Sequence, residues 1–135
     1  MLMPKKLKFR KMHRGTMKGE SKGARTVLFG EYGLQAMTPA WMTAQQIESA
    51  RVTITRKLKK GGRLFLRVFP DKPITKKPAE TRMGKGKGGV EGWAAVVKRG
   101  RVICEVEGLD EVTARQVLRS AAYKLPMKTK IVKKG

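Results

Sequence analysis

Apolar residues recur at helical spacing between about Ala44 and Lys60. Thr43 and Gln46 predict a capping box at the start of this helix, in which each side chain satisfies the other residue's free amide. The pair Gly61-Gly62 predicts its end. Its apolar face comprises Ile47, Ala50, Ile54 and Leu58, whereas Arg56 and Lys60 lie on the opposite face, which is either solvated or in contact with phosphate.

A second helix is predicted from about Glu111 to Tyr123, with Asp110 as its N-cap and Pro126 after its end. Its core-facing residues are Ala114, Val117, Leu118, Ala121 and Leu125.

Segments rich in β-formers or alternating in polarity predict the strands. In Arg63–Phe69, Leu64, Leu66 and Val68 point inward. Arg99-Gly100 is a two-residue hairpin signal between two β-rich segments. The predicted strands are Thr26–Met37, with a bulge or bend at Gly30 and Gly33, Arg63–Phe69, Trp93–Lys98, Arg101–Val106 and the edge-like Met127–Val132.

Together these elements predict an α+β fold, with two helices packed on a small, largely antiparallel sheet. At 135 residues the chain fits one domain. We expect this domain to span residues 26–135 and to follow a basic extended arm, residues 1–25, in which no helical or strand period holds.

The segment from Pro70 to Gly92 is predicted to be a long irregular loop, because it holds three prolines and five glycines. Loops of this length in compact domains are usually functional or disordered. Glycine allows close backbone approach, and the interspersed lysines bring positive charge to the same contact, which favours a phosphate backbone as the target. The central motif is Arg82-Met83-Gly84-Lys85-Gly86-Lys87-Gly88-Gly89.

Charge supports a polyanionic partner, since 32 Lys and Arg against 10 Asp and Glu give a net charge of +22. Residues 1–25 carry nine cations and one acid, and residues 124–135 carry five lysines and no acid. The arm is either a solvated tail or a segment that orders on RNA, with Phe9 or His13 stacking. The acids Glu105, Glu107, Asp110 and Glu111 are predicted to mark a solvent-facing edge turned away from the anion.

The sequence argues against an enzyme, a cofactor or a metal site. Gly84-x-Gly86-x-x-Gly89 matches a dinucleotide fingerprint, but a Pro-rich loop precedes it and a predicted strand follows it. His13 and Cys104 are each single, so they form no metal-ligand cluster or catalytic triad, and Cys104 is predicted to be a core residue. The single cysteine, the lack of a membrane-length apolar run and the lack of a secretory signal predict a soluble intracellular protein.

RNA is favoured over DNA because the cations are spread over arm, helix, loop and tail instead of one groove-reading helix. A general DNA-binding architectural protein is the alternative, in which Met83 would be an apolar wedge at the loop tip.

Several sequence motifs together cover nearly the whole chain in order. They are His13-Arg14-Gly15, Phe29-Gly30-x-x-Gly33-Leu34, Ala44-Gln45-Gln46-Ile47-Glu48-x-Ala50-Arg51, Gly62-Arg63-Leu64-Phe65-Leu66-Arg67-Val68-Phe69-Pro70-Asp71-Lys72-Pro73, Lys77-Pro78, Arg82-Met83-Gly84-Lys85-Gly86-Lys87-Gly88 and Lys124-Leu125-Pro126-Met127-Lys128-Thr129. These motifs resemble those of the bacterial large-subunit ribosomal protein L16 family. One difference is Phe65, where many family members have tryptophan.

The resemblance implies a structural constituent of the cytoplasmic ribosome that binds 23S rRNA near the central protuberance and the peptidyl-transferase region. It further implies contact with neighbouring large-subunit proteins and with A-site tRNA, and it leaves contact with P-site tRNA open. It implies no membrane and no small-molecule substrate. Combined with the charge pattern, it gives as RNA-contacting residues Lys5, Lys6, Arg10, His13, Arg14, Arg56, Lys60, Lys76, Lys77, Arg82, Met83, Gly84, Lys85, Gly86, Lys87 and Gly88.

Overall fold

The computed structural model describes residues 19–21, 23–58, 61–75 and 90–135. Within them the chain forms two helices and two antiparallel sheets, which confirms the predicted α+β class but divides the predicted sheet in two. In chain order the elements are β1 (Tyr32–Ala36), β2 (Ala40–Thr43), α1 (Ala44–Lys57), β3 (Arg63–Leu66), β4 (Lys72–Thr75), β5 (Val90–Val97), β6 (Val102–Glu107), α2 (Glu111–Ala122) and β7 (Thr129–Lys133).

The capping box at the start of α1 is confirmed. The Thr43 N–H donates to Gln46 Oε1 at 2.9 Å, and the Gln46 N–H donates to Thr43 Oγ1 at 3.2 Å. The helix ends at Lys57, earlier than predicted, because Leu58 adopts an extended conformation (φ −72°, ψ 131°). Leu58 then packs against the core, and Gly61 adopts the positive φ of a turn (+93°) before β3 begins.

Helix α2 begins as predicted, since the Asp110 side chain accepts a hydrogen bond from the Thr113 N–H at 3.2 Å. It ends at Ala122, one residue before the predicted end. The residues that it buries are Ala114, Val117, Leu118 and Ala121, all of which were predicted.

The larger sheet has the strand order β3-β6-β1-β7, and both helices lie on one of its faces. Leu34 and Cys104 are partners in neighbouring strands, and both pack in the core beneath the helices. Because side chains alternate between the faces of a sheet, the next pair of partners, Gly33 and Glu105, points to the opposite face. Phe65 pairs with Glu105 and shares that face.

Only part of the predicted strand Thr26–Met37 is a strand, namely β1. The residues before it lie over the face of the larger sheet that the helices leave free. A Cβ on Gly33 would come within 2.9 Å of Val27 Cγ2, so the missing side chain of Gly33 allows Val27 to pack there. The predicted strand Arg63–Phe69 is likewise shorter and ends at Leu66.

The predicted hairpin around Arg99-Gly100 is wrong. Gly100 does turn the chain, with φ +95°. However, β5 pairs with β2 and β4, whereas β6 pairs with β1 and β3 in the other sheet. The Gly100 N–H donates to the Ala36 carbonyl, so the turn is bonded to the end of β1 and directs the chain from one sheet to the other.

The smaller sheet has the order β2-β5-β4, and it corrects the prediction that residues 70–92 are irregular throughout. Strand β4 lies inside that segment, and β5 begins before it ends. Proline lacks a backbone donor and is tolerated on edge strands, and Pro73 lies on the edge strand β4. Thr75 is paired with Val90, so residues 76–89 connect the ends of two paired strands.

Candidate nucleic-acid interface

The β4–β5 ribbon anchors the predicted Gly/Lys loop. Lys72, at the start of β4, places its Nζ 4.5 Å from the centroid of the Trp41 ring on β2. A cation in this position is attracted to the negative face of the aromatic ring. This contact connects β4 to β2 across the smaller sheet. The loop is joined to the opposite end of the ribbon, at Thr75 and Val90.

Of the predicted contact residues, the structure describes Arg56. It lies in the last turn of α1 and is exposed, and none of the described acids lies within ion-pair distance of it. Its neighbour Lys57 donates to Ser120 Oγ on α2 at 2.7 Å. The remaining predicted contacts lie outside the described residues: Lys5, Lys6, Arg10, His13, Arg14, Lys60, Lys76, Lys77, Arg82, Met83, Gly84, Lys85, Gly86, Lys87 and Gly88.

The end of the predicted arm is attached to the turn between the two sheets. The Ser21 N–H donates to the Arg99 carbonyl at 2.9 Å. The Glu20 carboxylate lies between two guanidinium groups, at 2.9 Å from Arg25 and 3.0 Å from Arg99. The hydrogen bond and the charge of Arg25, together with Arg99, lower the pKa of Glu20, so this carboxylate stays ionised and holds both cations beside the end of the arm.

Sequence reasoning missed the most strongly bonded charge among the described residues, Glu105. Its side chain has no exposed surface, so its predicted place on a solvent-facing edge is wrong. Its Oε1 accepts the N–H groups of Leu28, Phe29 and Gly30 at 3.0, 2.7 and 2.8 Å. Its Oε2 accepts Arg67 Nη1 at 2.6 Å. The signal was present in the sequence, because Glu105 interrupts the apolar β6 run Val-Ile-Cys-Glu-Val.

Burial by itself would raise the pKa of Glu105. The N–H groups of Gly30 and Phe29 and the guanidinium of Arg67 outweigh that effect, and the pKa is lowered. Glu105 is therefore a buried anion with its hydrogen-bonding capacity largely filled. Arg67 is nearly buried as well, with 11% of its side chain exposed, and it also donates to the Thr26 carbonyl at 2.8 Å.

The other three acids of the predicted edge each interact with a residue that lies next to them in space. Glu107 lies 3.7 Å from Arg63, and Asp110 caps α2. Glu111 pairs with Arg115 one helical turn later, at 3.3 Å. These three side chains are partly or fully exposed, as predicted, but they do not form a common negative face with Glu105.

The C-terminal lysines extend the positive surface along β7, an edge strand of the larger sheet. Lys128, Lys130, Lys133 and Lys134 are exposed, and none of them has an ion-pair partner among the described residues. An edge strand with lysines also resists pairing with other chains, so this charge has a structural use as well.

The described residues offer no catalytic or metal centre. Cys104 is buried in the core as predicted, and burial, assisted by the neighbouring charge of Glu105, raises its pKa to about 12. No three His, Cys, Asp or Glu side chains of the described part could hold a metal ion together. None of the described helices is long and apolar enough to cross a membrane.

Comparisons with known proteins agree over the full length. The family model "Ribosomal protein L16p/L10e" matches residues 4–132. The chain is 60% identical to "Large ribosomal subunit protein uL16" of Pseudothermotoga lettingae over 100% of this chain and 95% of that protein. It is 62% identical to the protein of the same name from Thermosipho africanus, over 99% and 94% of the two chains. The match to that of Fervidobacterium nodosum is 61%, over 98% and 93%.

Proposed function

Since this chain belongs to the ribosomal protein L16p/L10e family, we propose that its arm binds 23S rRNA and that its Gly/Lys loop contacts tRNA. Family membership makes the chain a structural, non-enzymatic protein of the large subunit in the cytoplasmic ribosome. It also implies association with rRNA and with other ribosomal proteins. General architectural binding of nucleic acid is therefore the weaker hypothesis.

The observation that carries the proposal is the antiparallel pair formed by Thr75 and Val90. Residues 76–89 carry five Lys and Arg, one acid and four glycines, and they are joined to the described strands at this pair. A paired ribbon presents a loop at a defined place, and the fold depends little on the sequence of that loop. This arrangement suits a positively charged extension that reaches phosphate groups.

In this proposal the two parts act on different RNAs. The arm, residues 1–25, threads rRNA near the central protuberance through Lys5, Lys6, Arg10, His13 and Arg14. Residues 26–135 form the rRNA-binding domain, with Arg56 and Lys60 of the first helical region as phosphate contacts. The loop reaches A-site tRNA beside the peptidyl-transferase region and supports subunit assembly and tRNA positioning, and contact with P-site tRNA stays open. Its contact residues are Lys76, Lys77, Arg82, Met83, Gly84, Lys85, Gly86, Lys87 and Gly88.

Neutralising the loop tests the tRNA contact. The double change Lys85→Ala with Lys87→Ala should alter the free energy of unfolding by no more than about 0.5 kcal/mol, the usual range for surface changes. On reconstituted large subunits it should weaken A-site tRNA binding by on the order of tenfold for each lysine–phosphate hydrogen bond that is removed. Gly86→Val should weaken tRNA binding similarly through steric obstruction, without any change of charge.

A matched control removes the same charge elsewhere. Lys130→Ala with Lys134→Ala takes two cations from β7 and the residue after it, and should leave tRNA binding unchanged. If the loop variants fold, enter subunits and bind tRNA like the unchanged protein, the loop is not a tRNA contact. Loss of tRNA binding by both double variants would show only that net charge matters.

A further inference from the structure

The segment Thr26–Gly30 is fixed over the sheet face that the helices leave free. Three consecutive N–H groups of this segment donate to the buried Glu105 carboxylate, and the Thr26 carbonyl accepts from Arg67. Gly30 lies so close to β6 that a Cβ there would come within 2.7 Å of the Val106 carbonyl oxygen. The backbone of this short segment therefore has little freedom.

The fixed backbone nevertheless presents apolar side chains to solvent. Leu28 is 56% exposed and Phe29 is 59% exposed. Burying a carboxylate and most of a guanidinium is costly, and such a network is favoured only when its geometry is good. Hydrophobic burial of Leu28 and Phe29 does not offset that cost, because more than half of each residue's surface remains exposed to solvent. Single exposed apolar residues are ordinary, but two adjacent ones on a backbone fixed in this way suit a binding surface.

The surroundings of Phe29 indicate what binds there. The Arg67 guanidinium carbon lies 5.3 Å from the centroid of the Phe29 ring, and the Phe65 ring lies 5.8 Å away, tilted by 32°. Arg63 precedes Phe65 by two residues on β3, shares its face of the sheet and is exposed. Arg67 is nearly buried and paired with Glu105. Arg63 lies 3.7 Å from Glu107 but is 72% exposed, so it is the cation that a ligand on the ring can reach. The platform thus combines an aromatic plane with one accessible guanidinium.

We propose that Phe29 is a stacking platform for an unpaired RNA base, and that Glu105 and Arg67 position it. The inference rests on the proposed function, because rRNA supplies the base. Aromatic side chains beside Arg or Lys bind single-stranded RNA by stacking on the base, while the cations meet the neighbouring phosphates. A protein partner is less well matched, because the chain has a net charge of +22 and the exposed Arg63 shares the sheet face of Phe65, which contacts the ring.

Stacking and phosphate contact differ in their response to salt, which allows a direct test. The affinity of the full chain for 23S rRNA is measured across a range of salt concentrations. Phe29→Ala should weaken binding by roughly 5- to 150-fold, the range for loss of one stacked base. The slope of affinity against salt should stay the same, because no cation is removed. Phe29→Trp should restore affinity.

Two further variants keep the result decisive. Tyr123→Ala removes another exposed aromatic ring, 81% exposed just after α2 on the helix side of the sheet, and should bind rRNA normally. Phe29→Leu keeps an apolar contact with Phe65 but lacks the flat ring, so it should bind as weakly as Phe29→Ala. If Phe29→Ala folds poorly, the rRNA affinity of Phe29→Leu shows whether the flat ring is needed.

A double-mutant cycle tests whether Glu105 positions Phe29. Glu105→Gln should weaken rRNA binding when Phe29 is present and should have little further effect in the Phe29→Ala background. Equal losses in both backgrounds would show that Glu105 acts only through general stability.

The outcomes separate this inference from the proposed function. If the unchanged protein does not bind rRNA, the proposed function fails. If it binds and Phe29→Ala binds equally well, only the stacking platform is refuted. Normal rRNA binding by Phe29→Ala combined with loss of a neighbouring protein from reconstituted subunits would assign the patch to a protein contact and would also refute stacking.

Discussion

At the scale of single residues, the Glu105–Arg67 pair links the core to the surface segment that precedes β1. Removing one member of a buried ion pair leaves the other without compensation and costs about 3–5 kcal/mol. Exposed pairs such as Glu111–Arg115 contribute far less, in the range of about 0–1 kcal/mol. The two acids lie close together in the sequence, but Glu105 is buried and accepts three backbone N–H groups, whereas Glu111 is exposed.

The charge of Glu105 gives a prediction for pH. Its pKa is lower in the folded chain than the value of about 4.3 in an unfolded one, so the unfolded chain binds more protons at intermediate pH. The stabilisation is therefore complete above about pH 4.3 and is lost as the pH falls through the folded-state pKa. Glu105→Gln should lose roughly 3–5 kcal/mol near neutral pH and should be less sensitive to acid than the unchanged protein.

Urea unfolding between acidic and neutral pH measures this. Glu111→Gln is the control, because it neutralises an exposed acid and should shift the unfolding free energy by less than about 1 kcal/mol. Parallel pH profiles of Glu105→Gln and the unchanged protein would contradict a role for the Glu105 charge in stability.

At the scale of elements, the residues at the ends of each helix stabilise it. Helix α1 has no acid in its first turn, and the capping box satisfies two N–H groups at its start, those of Thr43 and Gln46. Its last turn carries Arg56 and Lys57, which complement the negative end of the helix dipole. This basic end extends the positive surface towards β3.

Thr43→Ala should remove the capping box and cost about 1 kcal/mol, within a range of roughly 0.5–2 kcal/mol. Thr55→Ala is the matched control, because Thr55 lies inside α1 and its hydroxyl bonds only to the Arg51 carbonyl, one turn earlier. Alanine favours helices more than threonine does, so the control should be neutral or slightly stabilising. Equal losses in the two variants, measured by urea unfolding, would mean that the cap contributes nothing specific.

At the scale of the whole molecule, a net charge of +22 repels itself in the free protein and favours a polyanionic partner. Exposed cations among the described residues include Arg56 on α1, Arg63 on β3 and Lys130 on β7, which belong to different elements. This distribution suits RNA contact on several sides better than the reading of a single groove.

If six to ten phosphates are neutralised, the affinity for isolated rRNA should fall by roughly 10³–10⁵-fold between about 50 and 200 mM salt, with a shallower slope for single strands. Filter binding over that range measures it. Lys130→Ala with Lys134→Ala should reduce the slope if β7 contacts phosphate. An affinity that barely responds to salt would show that most of the cations are merely solvated.

The sequence alone determined the features that depend on neighbouring residues. Both N-caps, the buried faces of the helices and the core position of Cys104 follow from local spacing, and the structure confirms them. Charge and motifs also led to the family, which the comparisons show. All of the predicted RNA contacts stay predictions, and those other than Arg56 lie outside the described residues.

Only the tertiary structure decided how the strands are paired. Alternation with a period of two tells which side chains share a face, but it does not tell which strand lies alongside. For that reason the local pattern predicts one hairpin of β5 and β6, which belong to separate sheets, and a loop where β4 with Pro73 lies. The pattern also predicts a solvent-facing Glu105, because its partners, Arg67 and the amides of Leu28–Gly30, are distant in sequence and meet it only when the sheet forms.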